Sequence, residues 1–210
     1  CETVTVTLNI SPVTVNNATL TVCGNVNNIG TFNLTTANVT GNSPVTITYY
    51  TSLLAAQNED PAGLISNFTN YTAPNGTVVY VLVKNPTGCK NIAQITLNLF
   101  PAAVVNVANI GNVCDDNFDG IYNLNLTALT QQILNNPTYF TNVRYYADLA
   151  TATLGNNNTL PNNFTYTTST TIYIRVESPD GCAPVIQPIN LTVGTKIQLI
   201  NNAVTTNFCD

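Results

Sequence analysis

At 210 residues, with 44% hydrophobic and only 7% charged side chains, the chain has apolar material for a folded core and far less charge than the usual quarter. The 5 basic residues, Lys84, Lys90, Arg144, Arg175 and Lys196, are scattered among 10 acidic ones for a net charge of −5, which argues against a nucleic-acid footprint. Histidine is absent, and no apolar run is long enough to span a bilayer.

In chain order, Cys1-Glu2-Thr3-Val4-Thr5-Val6-Thr7-Leu8-Asn9 alternates polar and apolar residues and resembles the closing strand of an earlier module. Val13, Val15, Ala18, Leu20 and Val22 then predict a first strand that runs up to Cys23, and Phe32 with Leu34 predicts a second. Val45–Tyr50 is rich in branched and aromatic residues, as a third strand would be. Ser52-Leu53-Leu54-Ala55-Ala56-Gln57 reads as one short helical turn with Ser52 as its N-cap. A weak strand near Phe68–Tyr71, a strong one over Val78–Val83, a Pro86-Thr87-Gly88 turn and a closing strand over Ile92–Leu99 complete the module.

The same sequence of features returns. Val104–Val113 leads to Cys114, Tyr122–Leu126 follows, and Val143–Tyr146 repeats the tyrosine pair of Tyr49 and Tyr50. Asp148 stands as the cap of a second short helix through Leu154, Ile172–Val176 is the strong strand, Pro179-Asp180-Gly181 the turn, and Val185–Val193 the closing strand. Cys23, Cys114 and Cys209 are 91 and 95 residues apart, and Cys1, Cys89 and Cys182 are 88 and 93 apart. A period near 90 residues suits a small sandwich and is too long for a solenoid. The expected organisation is therefore an all-β fold of tandem immunoglobulin-like β-sandwich modules stacked end to end. Residues 1–9 are read as the last strand of a preceding repeat, 10–100 as repeat 1, 101–194 as repeat 2 and 195–210 as the first strand of a following repeat. The joint from Leu97 to Ala103 holds one proline and no flexible tract, which predicts a stiff connection.

Six cysteines in register, with no histidine to share a metal site, read as disulfides formed outside the reducing cytosol. Three pairings respect the repeat. In a seven-strand sandwich Cys23 and Cys114 fall between the first two strands at one pole, while Cys89 and Cys182 fall between the last two at the other. The poles are roughly 20 Å or more apart, and a disulfide needs Cα atoms within about 7 Å. That geometry favours Cys23–Cys182 between modules, leaving Cys1, Cys89, Cys114 and Cys209 for modules outside this sequence. Pairing within each repeat, Cys23–Cys89 and Cys114–Cys182, follows the habit of sandwiches and stays open as the alternative; pairing of sequence neighbours fits worst.

Asp115-x-Asn117-x-Asp119-Gly120 has oxygen-bearing side chains at every second position and a glycine for the bend, the opening of a calcium loop. Calcium is the one cofactor this reading offers, with Asp115, Asn117 and Asp119 as ligands in the second module only, since Asn25, Asn27 and Asn28 replace the carboxylates in the first. The competing reading is a turn whose Asp and Asn side chains bond their own backbone. No nucleophile with a neighbouring base is present, and Glu59-Asp60 reads as a solvated loop pair, so no enzyme is expected. Thr3, Thr5 and Thr7, with Thr46 and Thr48, line strand faces that an ice- or sugar-binding surface could use. By alternation, each tyrosine pair should point one ring outward, where it could stack on a glycan.

Taken together, Cys-Asp-x-Asn-x-Asp-Gly before a strand, Val143-Arg144-Tyr145-Tyr146, an alanine-rich turn, Ile172-Tyr173-Ile174-Arg175-Val176-Glu177 and Gly181-Cys182 before a closing strand resemble a known family. They are similar to the tandem immunoglobulin-like surface repeats of large Bacteroidetes proteins exported by type IX secretion, including the gliding adhesins of SprB type. The first module departs from that pattern at the acidic turn. The resemblance implies a segment of an extracellular fibre or adhesin on the outer cell surface, serving attachment or gliding motility. Neighbouring repeats of the same long chain, and surface glycans, are the partners it implies. The alternative is a carbohydrate-binding module array of a secreted polysaccharide-active protein, with loss of glycan binding on changing Tyr50 or Tyr146 as its mark. An ice-binding array is a third reading.

Overall fold

A computed structural model describes residues 12–110, 113–115, 117 and 119–194. The proposed flanking strands over 1–9 and 195–210, with the threonines of the first, therefore lie outside the described residues. The chain divides into two compact units between Ala102 and Ala103.

In the first unit, β1 (Ala18–Cys23), β2 (Ile29–Phe32), β3 (Thr46–Tyr50), α1 (Leu53–Asn58), β4 (Tyr71–Pro74), β5 (Thr77–Lys84) and β6 (Lys90–Phe100) follow one another. One sheet has the order β1-β6-β5-β3 and the other pairs β2 with β4. β1 lies parallel to β6, from Ala18 opposite Ile95 to Cys23 opposite Phe100, whereas β3–β5 and β5–β6 are antiparallel. A first strand parallel to the last, beside two antiparallel neighbours and over a second sheet, is the arrangement of an immunoglobulin-like sandwich. Its core follows the period-two pattern: Val79, Val81 and Val83 from β5 meet Ala93, Ile95 and Leu97 from β6, with Phe32 and Leu34 from the opposite side. The predicted second strand stops at Phe32, and Leu34–Thr36 turns into a 3₁₀ helix that Asn33 caps through the Thr35 N–H.

The second unit contains β7 (Val113–Cys114), β8 (Tyr122–Asn125), α2 (Leu126–Ile133), β9 (Asn142–Tyr146), α3 (Leu149–Leu154), β10 (Asn163–Tyr166), β11 (Thr170–Glu177), β12 (Val185–Leu191) and β13 (Val193–Gly194). Its main sheet is β12-β11-β9, β10 pairs β8, and β13 runs parallel to the two-residue β7. The first strand expected over Val104–Val113 is replaced among the described residues by a bridge from Val105 to Leu134 and a 3₁₀ turn at Val107–Asn109. The strand expected through Leu126 is also shorter. Asn125 accepts the Ala128 N–H and starts α2, whose Leu126, Leu129 and Ile133 enter the core beside Phe140, Ile172 and Ile189. That helix has no counterpart in the first unit beyond the 3₁₀ turn.

Asparagine and threonine, together roughly a third of the chain, hold its turns. Asn25 Oδ1 accepts the N–H groups of Asn27 and Ile29, Asn85 Oδ1 accepts that of Cys89, and Asn162 Oδ1 accepts that of Thr127. Neutral side chains do here what charged or glycine-rich turns do elsewhere, because an amide oxygen mimics a backbone carbonyl in an Asx turn.

Candidate functional site

The cysteines sit where the strands begin and end. In the first unit Cys23 closes β1 opposite Phe100, and the next residue, Gly24, donates its N–H to the Phe100 carbonyl at 3.0 Å. Cys89 lies at the other end of β6, in a turn where Gly88 takes a φ of +91° and Asn85 Oδ1 receives the Cys89 N–H at 2.9 Å. The length of β6 puts the two positions roughly 30 Å apart. Cys23 is disulfide-bonded, while Cys89 is an exposed free thiol. The alternative Cys23–Cys89 pairing is thereby excluded: one extended strand separates the two residues, far beyond disulfide reach. In the second unit Cys182 is disulfide-bonded and follows the turn at Gly181, ahead of β12. Cys114 pairs by its backbone with Gly194, at the far end of the β12–β13 stretch. By backbone position Cys182 and Cys114 stand at opposite ends of the β12–β13 stretch. Cys1 and Cys209 lie outside the described residues.

The acidic turn of the second unit is folded around Asp115, which is buried and accepts the Asp119 N–H at 3.2 Å and the Gly120 N–H at 2.7 Å. Asp119 accepts the Ile121 N–H at 2.8 Å and the Asn117 side-chain amide at 2.7 Å. The three residues named as calcium ligands are thus brought together, and each of the two carboxylates receives hydrogen bonds of the turn itself. Gly120 has a φ of +78°, the left-handed bend that the glycine was expected to supply. Among the described residues no three His, Cys, Asp or Glu side chains gather into a metal-binding group.

The outer face of each main sheet carries a helix. Ser52 caps α1 through the Ala55 N–H, and α1 lays Ala55 and Ala56 over Tyr50 and Leu82. Asp148 caps α3 in the same way through the Thr151 N–H, and Ala152 of α3 is fully buried. Alternation does place Tyr49 and Tyr145 in the cores and sends their neighbours to the other face. The rings of Tyr50 and Tyr146 are nevertheless only 4% and 0% exposed. The expected outward stacking platform is therefore absent at these two residues, because the outward face is roofed by the helix that follows each strand.

A family model for the Flavobacterium inter-domain disulphide bond domain, FIDD, matches residues 19–103 and again 110–197. The chain belongs to that family. Its two FIDD repeats agree with the two units of the fold. Among solved structures, the tandem immunoglobulin domains A164-A165 of titin share 10% identity over 88% of this chain and 95% of theirs, with a TM-score of 0.26. The four N-terminal immunoglobulin domains of Dscam1 isoform 6.9 share 11% over 89% of this chain and 45% of theirs, at 0.30. Curated protein sequences give no match. The immunoglobulin-like assignment rests on the strand pairing above.

Beside each roofing helix the two FIDD repeats place opposite charges, in different residues. In the first, Glu59 joins Lys84 and Lys90 at 3.2 and 3.1 Å, and Lys90 also caps α1 through the Gln57 carbonyl. In the second, Arg175 donates to the Ala152 and Thr153 carbonyls and Arg144 to that of Gly155, so both guanidiniums hold the α3 C-terminus. Glu177 receives Arg144, Arg175 and the Asn142 amide. The Arg175 hydrogen bond, with further help from Arg144, holds the Glu177 carboxyl below its ordinary value of 4.5. A lowered carboxylate pKa contributes stability above the unfolded value and loses it as pH falls through the folded one. Melting temperature of the second repeat should therefore fall below pH 4.5 more steeply in the wild type than in Glu177→Gln, which is read by thermal melts from pH 7 to pH 2.5. Parallel curves would show that Glu177 does not carry the acid sensitivity.

Proposed function

We propose that these two repeats are a load-bearing segment of a bacterial cell-surface fibre or adhesin, in which Cys23 and Cys182 bond to each other as a staple between consecutive repeats. The observation that carries the reading is the state of the cysteines: Cys23 and Cys182 are both disulfide-bonded while Cys89 is free. Cys23 ends β1 at the end of its unit where β6 leaves, and Cys182 precedes β12 at the turn end of its own. The family description, an inter-domain disulphide, names the same kind of bond. Disulfides persist outside the reducing cytosol, which supports an extracellular or surface location. Attachment or gliding motility is the role proposed for the intact fibre, and the segment itself is a structural and interaction element with no catalytic part.

A bond between Cys23 and Cys182 takes the chain between them out of the line of force. Pulled by its ends in a single-molecule experiment, the oxidised chain should show no unfolding extension from that stretch. Reduction should release roughly 160 residues, or about 500 Å of contour length. Two repeat-sized unfolding steps in the oxidised chain would overturn the staple. On intact cells, an antibody to the repeats should label the surface without permeabilisation.

The buried rings of Tyr50 and Tyr146 remove the main support for a carbohydrate-binding array, and no second observation favours it.

A further inference from the structure

β9 is an edge strand of the second unit's main sheet, and the register shows which of its residues face outward. Pro188 of β12 stands opposite Tyr173 of β11, and a proline has no N–H to give, so Tyr173 turns its main-chain groups the other way, to β9. Its partner there is Tyr146, and Arg144 opposite Arg175 follows two residues on in the same bonded phase. Val143 and Tyr145 therefore point their N–H and C=O groups away from the sheet. The Tyr145 carbonyl indeed receives the Leu160 N–H at 2.8 Å. The chain's own pairing with that edge stops after this one bond, because Asn162 already turns to the start of α2, where its carbonyl takes the Leu126 N–H. Among the described residues, nothing outside the sheet bonds the Val143 N–H, the Val143 carbonyl or the Tyr145 N–H.

This open edge runs along a groove whose other wall is α2. One recess, of about 180 Å³, lies between Val143 and Tyr145 on one side and Leu126, Thr130, Thr159 and Leu160 on the other. A second, of about 240 Å³, adjoins it, sharing Thr127, Thr130 and Val143 and reaching Gln131, Pro137 and Phe140. The lining is neutral apart from Arg144, whose guanidinium is engaged on the opposite sheet face by the Gly155 carbonyl and Glu177. The first unit has a 3₁₀ turn in place of α2, so the corresponding edge, at Ile47 of β3, lacks that wall and leaves Ile47 exposed.

We propose that this groove takes a short, uncharged, extended peptide segment, which joins β9 as an added strand. Main-chain donors and acceptors left open along a strand are a template for another main chain. The Val143 N–H and C=O suit one residue of an incoming strand, which exchanges two hydrogen bonds with it as in an antiparallel ladder. An extended chain turns alternate side chains to one face, so two adjoining recesses accept two of them. The recesses offer hydroxyl, amide and aliphatic groups. Threonine and valine fit there, while a charged side chain buried in them has no partner. The Cys23–Cys182 bond plays no part in this site, which belongs to the second unit alone.

The test is nuclear magnetic resonance of the isotope-labelled 210-residue chain. In the free chain the Val143 and Tyr145 amides should exchange with solvent about tenfold faster than those of Arg144 and Tyr146, which the ladder holds. The acetylated, amidated peptide Thr-Val-Thr-Val-Thr should shift the Thr127, Val143 and Tyr145 amides and slow exchange at Val143. Half-saturation should come at about 1 mM, the affinity of a few net hydrogen bonds with little buried area. Ile47 should not respond. The same peptide with every amide methylated keeps its side chains and loses its donors, and it should bind about tenfold more weakly. So should the peptide with lysine in place of both valines. Thr159 and Gln131 are exposed, and neither side chain makes a hydrogen bond among the described residues. Thr159→Trp and Gln131→Trp should therefore each fill a recess and weaken binding about tenfold, with the melting curve unchanged. Protection of the Val143 amide in the free chain, equal binding of the methylated peptide, or full affinity in both tryptophan variants would overturn the proposal. So would a response of these amides to maltohexaose and not to the peptide.

Discussion

Replacing Tyr146 by alanine should cost the second unit about 3–5 kcal/mol, the range for removing a large buried aromatic side chain. The ring is fully buried, and its hydroxyl donates to the Asn156 carbonyl at 2.9 Å, just beyond α3. Its removal leaves a cavity between the sheet and the helix and an acceptor without its partner. The two arginines that hold the helix C-terminus lie on the same sheet face, with Arg144 opposite Arg175 and Tyr146 opposite Tyr173 across β9 and β11. Loss of the ring should therefore loosen α3 as well. Denaturant melts should show one destabilised transition and one unaltered, since the first unit has its own core. Tyr146→Phe keeps the ring and loses only the hydroxyl, so it should lose about 1 kcal/mol. An alanine variant with wild-type stability would mean that the ring is not roofed by the helix, and the sugar-stacking reading would return.

Removing the staple should have the second large effect. Closing a loop of roughly 160 residues is worth about 5 kcal/mol in the chain-entropy account. Cys23→Ser and Cys182→Ser should each lose the same amount, and the double variant should lose no more than either one. That pattern is the signature of two residues acting through one bond; bonds to different partners would instead add. Urea melts of the three variants, with and without reductant, measure this directly. Additive losses would show that the two cysteines are bonded to different partners; a reductant effect that survives in the double variant would mark a further disulfide among the remaining cysteines.

Much of this fold is legible from local pattern. Alternation in Val78–Val83 and Ile172–Val176 marks strands because those segments are buried on one or both faces, and side chains of a strand must alternate. Ser52 and Asp148 were readable as caps because the interaction they make is with a backbone N–H three residues ahead. The start of α2 carried the same signal in Asn125, with Leu126, Leu129 and Ile133 at helical spacing. It was masked by Leu124 and Leu126, which also satisfy a strand's period of two. The cysteine ends were legible for a related reason: in a sandwich of known strand order, the count of strands between two positions decides whether they share an end.

What the sequence determined alone was thus the repeat, its strand periodicity, its capped turns and the ends to which its cysteines go. Each of these depends on neighbours within a few residues or on a spacing that recurs. Tertiary structure decided which outward side chains remain outward. Alternation sends Tyr50 and Tyr146 away from the core, but the helix that lands on them comes from the chain's path after the strand. The same holds for Arg144, which meets the Arg175–Glu177 pair of β11 only because β9 and β11 pair in one register. It holds as well for a cleft of the first unit lined by Val13, Pro44, Val45 and Pro86, whose walls come from segments before β1, before β3 and after β5. Burial of a surface residue and the shape of a cleft are properties of two or more segments at once, and no single stretch of sequence contains them.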